Sequence, residues 1–413
     1  MHRFCSLTRV IGILLLTFIL VPACQAVDPT WIVPSAPGIE LSGVAISHDG
    51  SIIVAGGDQL IVLSPEGKKF WSGWSGSILE VSRDGNYIAT SRGQTVRLFN
   101  RQGIMLWDHS LGEAVTDLSM TPDGEMIAAG GGGVMQSWFN SGSGLGRNTT
   151  ETIHDIKISP VKDQVIVGTT KALRRFNLSY VPGWYDDAIS PAALEISGDG
   201  SGIVIPNGNH VRMYHSGGAL LWDRAFPGGN IISLALSRDG STIVAGRDDG
   251  TVIALDRQGS LLWTEKAGFW ITSVSISDDG STIGTGSIDN QISVFDRKGK
   301  LLGTYRTKNP VKSNSVAVSA DGSLIVAVDF STVYGFSKSG FIGPAAPSRE
   351  STQILPPPAG DGNITPVATP PIEGESPLSG NASFPETVRT PASEIPWVII
   401  LISLIFILAV RKK

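Results

Sequence analysis

Apolar and polar positions along the chain repeat a single pattern, apolar-x-apolar-Ser-x-Asp-Gly-x-x-Ile. It reads Ala45-Ile46-Ser47-His48-Asp49-Gly50, then Val81-Ser82-Arg83-Asp84-Gly85, Leu236-Ser237-Arg238-Asp239-Gly240, Ile276-Ser277-Asp278-Asp279-Gly280 and Val318-Ser319-Ala320-Asp321-Gly322. Looser copies stand at Met120-Thr121-Pro122-Asp123-Gly124, Ile158-Ser159-Pro160-Val161-Lys162 and Ile196-Ser197-Gly198-Asp199-Gly200. The marker Ser or Thr falls at 47, 82, 121, 159, 197, 237, 277 and 319, in steps of 35 to 42 residues. A period of that length is the mark of a repeat architecture.

Within the clearest copy, residues 272–277 alternate, Asp279-Gly280 turns, and residues 282–286 alternate again. Asp289-Asn290 turns next, residues 292–296 form a third strand, and Lys298-Gly299 leads into a fourth. Asp-Gly and Lys-Gly pairs supply the positive φ that tight hairpins demand. Four antiparallel strands in roughly 40 residues make one propeller blade. The expectation is an all-β, eight-bladed β-propeller, with seven blades as the second arrangement. The last repeat has three clear strands, ending near Phe336, and its own fourth, Phe341-Ile342-Gly343, runs into proline. Trp31-Ile32-Val33 is therefore expected to complete that blade and leave the ring without a free seam.

The two ends follow a different logic. Residues 1–26 read as a signal peptide: Arg3 and Arg9, an apolar stretch over 10–21, and Ala23-Cys24-Gln25-Ala26 before a cut. Residues 395–410 are apolar and uncharged, which predicts a transmembrane helix, and the basic tail 411–413 belongs on the cytoplasmic side. Residues 344–394 are rich in Pro, Thr, Ser and Gly, a composition that cannot bury a core and predicts a disordered stalk. Residues 27–343 remain for the ring. These segments predict a single-pass protein of the cell membrane with an extracellular, monomeric ectodomain.

Charge narrows the partners. Without the two end segments the chain holds 27 basic and 37 acidic residues, a surface that repels phosphate backbones, so no nucleic-acid partner is expected. Both cysteines, Cys5 and Cys24, lie in the signal, so packing alone must stabilise the mature ring. Asn148, Asn177, Asn363 and Asn381 head N-glycosylation sequons.

The third and fourth strands of a repeat, as in Ala254-Leu255-Asp256-Arg257-Gln258-Gly259-Ser260-Leu261-Leu262-Trp263, resemble the tryptophan-docking motif of PQQ-like, quinoprotein-type propellers. Asp249-Gly250-Thr251-Val252 and Asp289-Asn290-Gln291-Ile292 are similar to WD40 repeats. The whole arrangement resembles membrane-anchored surface proteins of the archaeal type. The resemblance implies that Trp71, Trp107, Trp222 and Trp263, each four residues after a turn glycine, wedge between neighbouring blades. Gly303 stands at the same place in the seventh copy, and the His of the WD40 Gly-His pair is missing. Quinone-dependent members stack the cofactor under a vicinal disulfide, which a mature chain without cysteine cannot form, so no cofactor is expected.

No metal-ligand spacing or nucleophile constellation stands out, and the paired acids Asp186-Asp187, Asp248-Asp249 and Asp278-Asp279 read as turn residues. What remains is a binding surface on the loops that enter each blade and those that join its second and third strands. The candidate contacts are Trp74, Arg92, His154, Lys171, Tyr185, Asn209, Arg247, Asp248, Trp270 and Asp289. Trp184 and Phe269 also fall on those entry loops. Rings supply contact area and charges supply orientation, which suits a protein or glycan of the cell envelope. The expected function is a non-catalytic binding scaffold. An exported lyase or hydrolase with a divergent site in the central channel is the alternative.

Overall fold

The computed structural model describes residues 26–342, apart from 188 and 192. Thirty-two strands assemble into eight antiparallel sheets of four. Blades 1 to 7 cover residues 41–73, 78–110, 117–149, 153–186, 195–225, 231–266 and 271–306. Blade 8 takes three strands from residues 316–337 and its fourth from Trp31–Pro34, which pairs antiparallel with Thr332–Ser337. The chain is an eight-bladed β-propeller whose first strand closes its last blade. The residues expected to form the signal (up to residue 25), the stalk and the transmembrane helix lie outside the described residues, as do Asn363 and Asn381. Among the described residues no helix is long and apolar enough to cross a membrane.

Each blade is held by the same turn. Ser47 Oγ donates to Asp49 Oδ1 at 2.6 Å and accepts the Ile52 N–H at 3.0 Å, while the Ser51 N–H reaches Asp49 Oδ1 at 3.0 Å. The Ser/Thr-to-Asp bond recurs at 82/84, 121/123, 197/199, 237/239, 277/279 and 319/321, between 2.5 and 2.8 Å. Blade 4 breaks the rule. Its turn is Ser159-Pro160-Val161-Lys162, so no carboxylate is available, and Ser159 Oγ is buried without a hydrogen-bond partner. Lys162 takes the glycine's place at φ +59°.

The blades lock together through tryptophans on their outer strands. Trp71, Trp107, Trp222 and Trp263 each donate an indole N–H to the third-to-fourth-strand turn of the next blade, at Arg101, Asn140, Arg257 and Arg297, over 2.9 to 3.0 Å. Trp31 and Trp184 do the same, to Pro65 and Ser216. Trp184 is therefore an inter-blade wedge and not a rim residue. Each ring lies over a turn glycine: a Cβ on Gly259 would sit 2.8 Å from the Trp222 ring.

Two blades lack the wedge. In blade 3 the position falls to Gly146, and Tyr180 from blade 4 fills the space, its ring 2.6 Å from where a Cβ would stand. In blade 7 it falls to Gly303. There the segment 338–342 forms a short helix, Lys338–Ile342, in place of the strand expected at 341–343, and Phe341 is buried against Val27, Phe336 and Tyr305. Proline after Gly343 and a Trp31 strand already in the edge position leave no partner for a further strand, so the chain turns helical. The glycine-rich Gly144–Thr149 forms a regular fourth strand that pairs along Val134–Phe139 with one bulge.

Candidate functional site: the loop face and the central channel

The entry loops and the second-to-third-strand loops share one face of the ring. Trp74 is half exposed at φ +35°, its ring 5.8 Å from Phe99 and under the Arg97 guanidinium. Phe269 and Trp270 are stacked at 6.0 Å and both face solvent, 61% and 44% exposed. Tyr185 is exposed beneath the Arg174 guanidinium, which is itself paired with Glu151 at 2.6 Å. Lys171 lines a cleft of about 560 Å³ with Glu151, Arg174 and Asp187. His154 is exposed nearby.

The other candidates are engaged within the loops. Arg92 bridges to blade 1 through Asp58 at 2.8 Å and the Gly57 carbonyl at 3.1 Å. Asn209 donates to Phe226 O, and Asp248 accepts from Asn230. Arg247 is turned inward: it is 4% exposed and donates to Gly229 O and Pro227 O, with Asp249 at 3.2 Å. It shapes its loop and presents no guanidinium to a partner. Asp289 has a buried Oδ1 without a hydrogen-bond partner. Of the sequon residues, Asn148 lies in a strand and donates to Tyr180 O, whereas Asn177 sits in a turn and accepts the Ser179 and Val181 N–H groups.

A second polar site appears only in three dimensions. The first strands of the blades stand around a channel, with a cavity of about 330 Å³ inside it. Blades 2 to 5 face it with Glu80, Asp117, Lys157 and Glu195, and Asp155 lies beside Lys157. Blades 7, 8 and 1 present Ser273, Ser275, Val316, Val318, Val44 and Ile46. Lys157 Nζ lies 3.7 Å from Asp117 and 3.8 Å from Asp155. One ammonium faces four carboxyl groups, which cannot all ionise in a confined space.

The channel carboxyls respond accordingly. Burial pushes Glu80 up to about 7 against the pull of Lys157, with Asp117 and Glu195 adding repulsion. Burial, and then the Asp117 carboxylate, hold Asp155 well above its ordinary range, and burial raises Glu195. Burial opposes the Lys157 charge, but the surrounding carboxylates outweigh it and hold that ammonium well above its usual value. Among the described residues no three His, Cys, Asp or Glu side chains converge to hold a metal ion. Period-2 alternation shows which strand residues face inward, but charge at separate blades gives no sign in the sequence that these five converge.

A family model described as outer membrane protein assembly factor BamB matches residues 207–340, which run from blade 5 through blade 8. The C-terminal WD40 domain of Sif2 superposes with a TM-score of 0.65 at 18% identity, covering 75% of this chain and 99% of that one. Both likenesses are to repeat propellers, the fold that this chain forms. Sqt1 from Chaetomium thermophilum gives a TM-score of 0.62 at 14% identity, covering 76% of this chain and 100% of that one. These structural likenesses establish the fold. No curated protein matches the chain.

Proposed function

We propose that this chain is a non-catalytic binding scaffold, exported and tethered to the cell membrane, that takes a protein or glycan of the cell envelope on its loop face. The observation that carries the reading is the stacked, solvent-facing Phe269–Trp270 pair, with Trp74 and Tyr185 exposed on the same face. Six other tryptophan side chains are used between blades, whereas these rings face solvent. Exposed aromatics are the residues from which interface hot spots are most often built. Export and tethering rest on the sequence: the signal-like residues 1–26, the apolar stretch 395–410 with its basic tail, and the Pro-rich stalk between ring and anchor. A structural neighbour of the same fold, Sqt1, has been solved bound to the N-terminus of ribosomal protein L10, so a propeller of this shape can hold a peptide.

The test is an array of envelope glycans and proteins probed with the ectodomain, residues 27–343. Binding that falls at least about tenfold in Trp270→Ala, at an unchanged melting temperature, supports the reading. Absence of binding to every component counts against it.

The enzyme reading has one observation of its own. Glu80, with a carboxyl held near neutrality inside a cavity, has the property of a general acid or base. A lyase or hydrolase activity abolished by Glu80→Gln and indifferent to Trp270→Ala would replace the scaffold with a channel enzyme.

A further inference from the structure

In the repeated Ser-x-Asp-Gly turn, Ser and Asp bond to each other and Gly takes the positive φ, so only x is free to vary. The fold brings those variable residues to one place. Six of them, His48, Arg83, Pro122, Arg238, Asp278 and Ala320, line a pocket of about 240 Å³ at the channel mouth opposite the loop face. The turns are stitched to one another by backbone bonds, Arg83 N–H to Pro122 O at 2.7 Å, Gly198 N–H to Arg238 O at 2.8 Å and Asp278 N–H to Ala320 O at 3.0 Å. The ring of side chains therefore stands on a fixed frame.

The charges at this mouth do not balance. Arg83 donates to His48 Nε2 at 2.6 Å, which places the imidazole proton on Nδ1, facing Asp278 Oδ2 at 3.3 Å. Arg238 Nε is 3.9 Å from the same carboxylate, its stem laid across Gly198, where a Cβ would come within 2.5 Å of Arg238 Cγ. Arg238 thus shares the Asp278 carboxylate with His48, and Arg83 reaches it only through the imidazole. No carboxylate lies within ion-pair reach of Arg83 among the described residues. The nearby Asp49 bonds its own turn through Oδ1, Asp84 through both oxygens, and Asp123 through Oδ1 while its Oδ2 pairs with Lys162.

We propose that this mouth binds a small oxyanion, the phosphate or carboxylate group of a soluble solute, on the Arg83 and Arg238 guanidinium groups. Guanidinium forks match both groups in geometry, and Ile46, Val81 and Val318 line the pocket beside them. Asp278 is the internal competitor for Arg238. The site is independent of the loop face, so it stands whether or not that face binds a partner.

The experiment is a calorimetric titration of the full chain with inorganic phosphate and, separately, with succinate, at constant ionic strength, alongside the melting temperature of each variant. Either anion is expected to bind with a Kd on the order of 1 mM. Arg83→Ala and Arg238→Ala each weaken it about tenfold, Arg83→Lys recovers part of the loss, and Asp278→Asn tightens it several-fold. Phosphate alone, succinate alone or both binding tells which oxyanion group the pocket prefers, and each supports the site. No binding of either anion, or binding that survives both arginine replacements, overturns it. Should an arginine variant melt early, the gain from Asp278→Asn decides, because a merely structural carboxylate would give no gain.

Discussion

The indole N–H of Trp31 donates to the carbonyl oxygen of Pro65 at 2.8 Å, and its ring lies over Gly67, so the strand that closes blade 8 is also wedged into blade 1. One side chain serves the closing sheet and the closing interface together. Trp31→Ala should destabilise the ring by about 3 to 5 kcal/mol, the cost of truncating a large packed side chain. Removing residues 27–36 should lower the melting temperature further, read by circular dichroism. An unchanged melt after that deletion would show that the ring does not depend on this closure.

Gly67 tests the same contact from the other side. Its φ is +79°, and a Cβ would stand 2.5 Å from the Trp31 ring. Gly67→Ala combines left-handed strain with overlap and should cost about 3 kcal/mol. Gly73 has nothing within 4 Å of a built Cβ, so Gly73→Ala should be close to neutral by comparison.

Blade 4 offers a stabilising change. Val161 occupies the aspartate position of the turn, is exposed, and leaves Ser159 Oγ unsatisfied. Val161→Asp restores the acceptor found in the other blades and should add about 1 kcal/mol, visible as a higher denaturation midpoint. A lower midpoint would mean that the Pro160 turn holds a geometry the carboxylate cannot use.

Stability should change with pH in two opposite windows. The folded Glu80 titrates at about 7 against an ordinary value of 4.5, so the folded state holds the extra proton between them. Its contribution is complete below 4.5 and is lost as pH rises through 7, on the order of 3 kcal/mol for a shift of that size. Glu80→Gln should flatten this decline in urea melts taken from pH 4.5 to 7.5.

The turn aspartates act in the other sense. Asp199 is held down to about 2, first by the Ser197 hydroxyl and then by the Ser201 N–H. Its contribution is present above 3.8 and disappears as pH falls toward 2. Asp199→Asn should reduce stability at neutral pH and weaken the acid-induced loss. An acid limb identical to that of the parent would remove this turn from the account.

Much of the ring is legible along the chain because each blade satisfies itself locally. Asp49 bonds within its own turn, Gly50 takes a positive φ there, and the residues between turns alternate with period 2, so their spacing reports strand number and closure. Four of the tryptophan wedges are legible for the same reason, since Trp71, Trp107, Trp222 and Trp263 each stand four residues after a turn glycine. The site is less legible. Arg247 reads as a loop cation, yet the carbonyls that bury it belong to the preceding connection, and nothing in its own neighbourhood announces them.

Sequence by itself determined the eight repeats, the closing strand and the inter-blade role of Trp71, Trp107, Trp222 and Trp263, because each depends on turn chemistry and spacing within about one repeat; the wedge role of Trp31 and Trp184 came only with the fold. Tertiary structure alone decided the substitutes for missing wedges, Tyr180 beside Gly146 and Phe341 near Gly303. It also decided the meeting of Glu80, Asp117, Asp155, Lys157 and Glu195 in the channel and of His48, Arg83, Arg238 and Asp278 at its mouth. Those groups stand a whole repeat or more apart, and their charges act through space across a ring that exists only once all eight blades have closed.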